Sequence, residues 1–146
     1  MFEFTLEPLL RQRKFIEESL QKELAVIQNQ FNAREKALER LLESRESCGN
    51  KLHQLGEQGT QAARLKLYFE YLKRLSIEQY EMEQALRGIQ DNLESKRGEV
   101  VEAMKGRKIL ENLKASRLRT YRGVIRKKEM KSADEIAITL FNRKGL

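Results

Sequence analysis

The stretch LLESRESCGNKLHQLGEQGT, residues 41–60, decides the fold, because it ends one apolar repeat and supplies the turn before the next. Gly56 and Gly59 lie closer together than any other pair of glycines in the chain. Gly56 suits the left-handed residue that ends a helix, and Thr60 can cap a following one. The stretch therefore predicts a helix, a turn at residues 56–59 and a second helix.

An apolar repeat with a period of 3.5 residues precedes this turn. Eleven of its fifteen positions are apolar, and Arg13, Glu17, Arg34 and Arg45 interrupt it. Long basic side chains can lay their stems along such a stripe and keep the charge in water. A repeat sustained for seven heptads is typical of a coiled coil. Its positions are Leu6, Leu10, Arg13, Glu17, Leu20, Leu24, Ile27, Phe31, Arg34, Leu38, Leu41, Arg45, Cys48, Leu52 and Leu55.

A second repeat follows the turn and runs from Leu65 to Leu110. Eleven of its fourteen positions are apolar, the exceptions being Gln79, Lys96 and Arg107. Neither helix would be stable alone in water, so the two stripes should bury each other. We therefore predict an all-α fold, a long antiparallel two-helix coiled coil (an αα-hairpin) with a longer second helix.

The helix boundaries can also be estimated from the sequence. Pro8 is tolerated in a first turn and Thr5 is a plausible cap, so the first helix should span about residues 7–55. Folding at the glycines sets Leu6 opposite the region of Leu110. The second helix should run over about residues 60–131, with everything past Leu110 as an overhang.

The C-terminal end carries a further helix signal. Ser132 and Glu135 form a capping box, which predicts a short helical segment over residues 132–143 after a break near Lys131. The alternative is a coincidental match inside one continuous helix. In either case we expect residues 1–146 to form a single hairpin domain.

Composition excludes several functional classes. Charged residues make up 35% of the chain, and no stretch approaches the roughly 18 apolar residues of a membrane span. The N-terminus lacks the features of a secretory signal, so we expect a cytoplasmic protein without direct membrane insertion. Cys48 and His53 supply two ligands where a structural zinc site needs four. No phosphate-binding glycine loop or activated nucleophile is visible, so we expect neither an enzyme nor a cofactor.

Positive charge is concentrated in the second helix. Residues 105–131 contain eleven Lys or Arg and two Glu, a net charge of +9 against +7 for the whole chain. The segment should therefore meet an acidic partner. Phosphate contacts need only Lys and Arg, so a nucleic-acid-associated coiled coil is the alternative function. Leu110, Leu118 and Val124 lie among the charges, which favours a protein groove and makes nucleic acid unlikely.

Aromatic residues cluster after the turn. The apolar stripe uses Tyr68, whereas Phe69 and Tyr71 flank it and Tyr80 lies outside it. Exposed aromatic side chains often form a partner-binding site. The alternative is that Phe69 and Tyr71 lie over the edges of the stripe as packing.

Four stretches together resemble the FliJ family, the small coiled-coil proteins of the flagellar type III export apparatus. They cover the chain from start to end and occur in the family's order and spacing. They are the start FEFTLEPLLR, Tyr68-x-x-Tyr71-Leu72-x-x-Leu75, the run RKILENL at residues 107–113, and the end RKKEMKSADEIAITLF.

The resemblance implies a non-enzymatic function in protein export. Proteins of this family resemble the central stalk of rotary ATPases and sit in the ring of the hexameric export ATPase. They contact the export-gate membrane protein and handle export chaperones. The resemblance thus implies a cytoplasmic location peripheral to the inner membrane. A stalk of a virulence-type secretion system would follow the same physics.

The resemblance and the charge pattern give two sets of candidate partner-binding residues. By position in the family, the export-gate face falls on Tyr71, Leu75, Glu78 and Met82, with Phe69 beside it. We assign contact with the ATPase ring to the basic overhang, through Arg117, Arg119, Arg122, Arg126, Lys127 and Lys128.

Overall fold

Two helices make up almost the whole of the computed structural model, which describes residues 1–145. Helix α1 spans Glu7–Gln58 and helix α2 spans Ala62–Lys144, of 52 and 83 residues. No strand occurs within residues 1–145. The predicted all-α hairpin of two helices that pack against each other, with a longer second helix, is confirmed. Leu146, the last residue of the predicted domain, lies outside the described residues.

The turn begins three residues later than the glycine pattern predicts. Helix α1 continues through Gly56, and Gly59 is the residue with a left-handed backbone, at φ 78°. Glycine adopts this conformation without the steric cost that a Cβ imposes, so Gly59 can end the helical path. The carbonyl of Gln61 accepts the first bonds of α2, from the amides of Arg64 and Leu65. Thr60 therefore precedes the helix and does not cap it.

The predicted break near Lys131 is absent. Helix α2 continues through Ser132, and residues 132–143 belong to it. No proline or glycine lies between Gly123 and Gly145, so nothing in this stretch interrupts the backbone hydrogen bonds of the helix. The match of Ser132 and Glu135 to a capping box is therefore coincidental, within one continuous helix.

The chain divides into two compact units, each containing part of both helices. The first comprises residues 1–18 together with the chain from Val101 onward, and the second comprises Ser19–Val100. In the first unit Phe4, Leu10 and Leu110 form a buried cluster. In the second unit Leu41, Cys48, Leu75 and Leu93 are buried. All except Phe4 are positions of the two predicted apolar repeats.

A charge at a buried position of the second unit should unfold it. We expect Leu93→Asp to destabilise the chain by several kcal/mol, on the order expected for a carboxylate forced into an apolar contact without a partner. Thermal unfolding followed by circular dichroism measures the effect. The matched control is Leu67→Asp on the same helix, where the side chain is exposed. Equal melting temperatures in the two variants would contradict this packing.

Candidate functional site

The N-terminal residues of the first unit extend the pairing of α2 beyond the predicted limit. Phe2 packs against Tyr121 with ring centroids 5.5 Å apart, and Phe4 lies in the buried cluster. The expectation that everything past Leu110 overhangs is therefore wrong. Residues before the first helix can cover a neighbouring helix as an apolar strap, which a helical repeat alone does not reveal. The unpaired part of α2 begins after Gly123, and every residue from Val124 to Gly145 is exposed.

Two basic residues of α2 are engaged by this N-terminal segment. Arg117 donates a hydrogen bond to the Thr5 hydroxyl at 3.2 Å, and its guanidinium lies 5.7 Å from the centre of the Phe4 ring. Thr5 thus holds Arg117 and does not cap α1. Lys114 Nζ lies 2.7 Å from Glu7 Oε2. This contact lowers the pKa of the Glu7 carboxyl, against the opposing effect of desolvation.

The remaining candidate residues for the ATPase ring are free. They are Arg119, Arg122, Arg126, Lys127 and Lys128, and all five are exposed. Within residues 1–145 none of them forms an ion pair or a side-chain hydrogen bond. The structure therefore separates Arg117, which is held by the N-terminal segment, from the other five, which present their charges to solvent.

A buried ion pair lies where both apolar repeats are interrupted. Glu17 is only 7% exposed, and the Arg107 guanidinium donates hydrogen bonds to both of its carboxylate oxygens. Arg107 also donates to Glu111 Oε2 at 2.8 Å. The bonds to Glu17 and then to Glu111 raise the pKa of Arg107. Both interruptions are visible in the sequence, but the predicted register, with Leu6 opposite the region of Leu110, does not set Glu17 opposite Arg107.

Interruptions of the repeats also meet partners in the second unit. Arg45 donates a hydrogen bond to the side-chain carbonyl of Gln79, and both are interrupting positions. Lys96 lies 2.8 Å from carboxylate oxygens of Glu23 and Glu99. These two contacts, the one with Glu23 first, raise the pKa of Lys96. Polar residues in the repeats therefore fix which turn of α1 faces which turn of α2.

The candidate export-gate residues do not form one surface. Tyr71 and Glu78 are exposed and seven residues apart, so they share one side of α2, with the half-buried Met82 next to them. Leu75 is 4% exposed and belongs to the core of the second unit. Phe69 is exposed but lies two residues from Tyr71, about 200° around the helix. It therefore presents its ring on a different side.

The isolated cysteine and histidine occupy unrelated environments. Cys48 is buried, whereas His53 Nε2 lies 3.1 Å from Glu57 Oε1 at the surface. Among residues 1–145 no three potential metal ligands of the His, Cys, Asp and Glu types come together. In the same part of the chain, neither helix has an apolar stretch long enough to cross a membrane.

Comparison with known proteins decides the family. A model of the family described as flagellar FliJ protein matches residues 2–146. The chain belongs to the FliJ family. It is thus a component of the flagellar protein export apparatus. Comparison with curated proteins and with solved structures gives no significant match. The match covers both units and the free end of α2, so every surface described above lies within the family's span.

The buried ion pair of this FliJ-family chain should matter more for stability than an exposed one. Arg107→Met leaves the Glu17 carboxylate buried without a partner, so we expect a clear fall in melting temperature. Lys96→Met, the control, removes a contact to the half-exposed Glu23 and should lower the melting temperature less. Circular dichroism on the full chain measures both.

A second substitution tests the cause. Adding Glu17→Leu to Arg107→Met removes both buried polar groups and should recover part of the lost stability, since apolar pairs often replace buried ion pairs without cost. A double variant less stable than Arg107→Met alone would contradict this account of the pair.

Proposed function

We propose that this chain is the stalk of the export ATPase ring, a non-enzymatic part that also links the ring to the export gate and to export chaperones. The observation that carries the proposal is the free end of α2. The helix continues to Lys144, whereas its contact with the N-terminal segment ends near Tyr121. A stalk needs such an end, because the part that enters a ring must not be covered by its own chain.

One exposed face of α2 leads into the free end and has a basic part followed by an apolar part. Lys108, Arg119, Arg122 and Arg126 are all exposed and follow one another at helical spacings, on the side of α2 away from Leu110. The same line continues past Arg126 as an apolar stripe. Its members are Met130, Ala133, Ala137, Leu140 and Phe141, all exposed.

This face favours a protein over a nucleic acid. Basic residues alone are enough to bind phosphate groups. A nucleic-acid backbone would gain nothing from the adjoining apolar stripe, whose members are spread over about 12 residues of helix. A protein channel lined first by carboxylates and then by an apolar groove would match both the basic and the apolar part of this face. The hexameric export ATPase is therefore the proposed partner of the Arg119–Phe141 face.

Charge reversal on this face should abolish stimulation of the ATPase. We expect the triple variant Arg119→Glu, Arg122→Glu, Arg126→Glu to keep its helicity and lose most of its effect on ATP hydrolysis by the purified export ATPase. The three side chains are exposed, and within residues 1–145 they take part in no ion pair or side-chain hydrogen bond, so the fold does not depend on them. The assay is ATP turnover against concentration of added chain.

A matched control separates the face from net charge. Lys22, Lys36 and Arg40 are exposed basic residues of α1, and reversing all three makes the same change in charge. This control should stimulate like the unaltered chain. A different outcome would favour the nucleic-acid alternative over the stalk. In that outcome the unaltered chain does not stimulate the ATPase and binds duplex DNA with a steep salt dependence.

A separate surface of the second unit is proposed for the export gate. Tyr71, Glu78 and Met82 carry it, and it omits Leu75, which is needed for packing, and Phe69, which faces elsewhere. Tyr71 is the anchor, because a partly exposed aromatic side chain offers large contact area at low entropic cost. Contact with the gate would hold the chain at the membrane peripherally.

Removing the anchor should weaken gate binding without unfolding the chain. We expect Tyr71→Ala to raise the dissociation constant for the cytoplasmic part of the gate protein about tenfold or more, within the range of interface anchors. The control is Tyr80→Ala, an exposed tyrosine on another side of α2. Isothermal titration calorimetry gives the constants. Equal affinities for the two variants would remove Tyr71 from the gate surface.

A further inference from the structure

A stripe of α2 in the second unit presents apolar and aromatic side chains to solvent. Phe69, Ile77 and Tyr80 are 60%, 52% and 64% exposed. Single exposed apolar residues are ordinary. These three share one face within about 17 Å of helix, at the three- and four-residue spacing of a contact surface.

Charged residues extend this face at both ends in a fixed order. We name the whole face, including these charged residues, the Phe69 stripe. Its members follow one another every three or four residues along α2. They are Lys66, Phe69, Lys73, Ile77, Tyr80, Gln84, Arg87 and Asp91. Lys66 and Asp91 are exposed and take part in no ion pair within residues 1–145. The stripe thus begins with the basic Lys66 and ends with the acidic Asp91. Its exposed apolar residues lie between these two, together with Lys73 and Arg87.

Because of this order, two copies of the stripe are complementary when they run in opposite directions. The antiparallel alignment that places Lys66 opposite Asp91 also places Ile77 opposite Tyr80 and Lys73 opposite the uncharged Gln84. It further places Phe69 opposite Gly88. A Cβ built on Gly88 meets nothing within 4 Å, so an aromatic ring can approach the backbone there. Arg87, next to Gly88, can lie over the same ring as a cation–π contact.

We propose that two copies of this chain associate through the Phe69 stripe, antiparallel, about a two-fold axis between Ile77 and Tyr80. The contact is isologous, so each favourable pair occurs twice. The proposal stands apart from the stalk and gate functions. Tyr71 lies on another side of α2 and stays free for a partner, whereas Phe69 belongs to the self-contact.

Other occupants match the stripe less well. A parallel second copy would set Lys66 against Lys66 and Asp91 against Asp91. A nucleic acid would meet Asp91 with repulsion, and an acidic helix from another protein would satisfy Lys66 and Lys73 but not Asp91. Among these, only the antiparallel second copy pairs both charged ends and the apolar centre.

The test is the mass of the full chain in solution at rising concentration. The monomer is 17.2 kDa, and sedimentation equilibrium should show a shift toward twice that mass. The contact covers one face of one helix, below the size of a standard stable interface, so the dissociation constant should be micromolar or weaker. A chain that stays at 17.2 kDa up to millimolar concentration would overturn the proposal.

One substitution at the centre and its control locate the contact. Ile77→Glu places a carboxylate in each half of the apolar centre and should raise the dissociation constant at least tenfold. Ile77 is exposed in the single chain, so circular dichroism should be unchanged. Leu67→Glu, on another side of α2 and 67% exposed in the parent, should associate normally. Equal weakening by both would point away from the stripe.

A charge exchange tests the antiparallel alignment. At low salt, Lys66→Asp and Asp91→Lys should each raise the dissociation constant about threefold or more, since each sets like charges together twice. The double variant restores opposite charges and should associate like the unaltered chain. If the double variant is no better than the single ones, the alignment is wrong. If Asp91→Lys strengthens self-association, the contact is made with an acidic surface and the proposal falls.

Discussion

Burial of the apolar stripe of each helix against the other is the interaction on which the rest of the structure depends. Neither helix could persist alone, because isolated helices gain too little from backbone hydrogen bonding to offset their entropy cost. Few stripe residues are fully buried within residues 1–145: Leu10 and Leu110 in the first unit, with Leu41, Cys48, Leu75 and Leu93 in the second. So thin a core leaves most side chains at the surface, which suits a chain that acts by contact with other molecules.

Polar residues within the stripes give the pairing its register. Leucines alone can be shifted by a heptad with little loss, since every position then still meets an apolar partner. Glu17 with Arg107, and Arg45 with Gln79, cannot be shifted in this way because each would lose its hydrogen bonds. The same logic extends to the proposed self-contact, where the charges of Lys66 and Asp91 would select the antiparallel alignment. Register is thus set by the residues that weaken the apolar repeat.

Fixing the register also decides which side chains are available to partners. Arg117 contacts Thr5 and Phe4, and Leu75 is buried in the core. The sequence had suggested both Arg117 and Leu75 as partner-binding residues. Three exposed faces of α2 remain as candidate contact surfaces: the Tyr71 side, the Phe69 stripe and the Arg119–Phe141 face. The contacts proposed above with the ATPase ring, the gate and a second copy of the chain depend on these faces.

The sequence by itself determined the two long helices, their pairing and the basic character of the second one, because helical periodicity and charge are local properties of the chain. The predicted break near Lys131 was wrong. The sequence located the turn to within three residues, and it missed that Gly59 rather than Gly56 ends the path. Only the tertiary structure decided that Phe2 and Phe4 cover α2 up to Tyr121, since a strap outside the helix leaves no periodic signal. Only the tertiary structure paired Glu17 with Arg107, because the partner of a polar residue in a coiled coil depends on a register spanning ninety residues of chain.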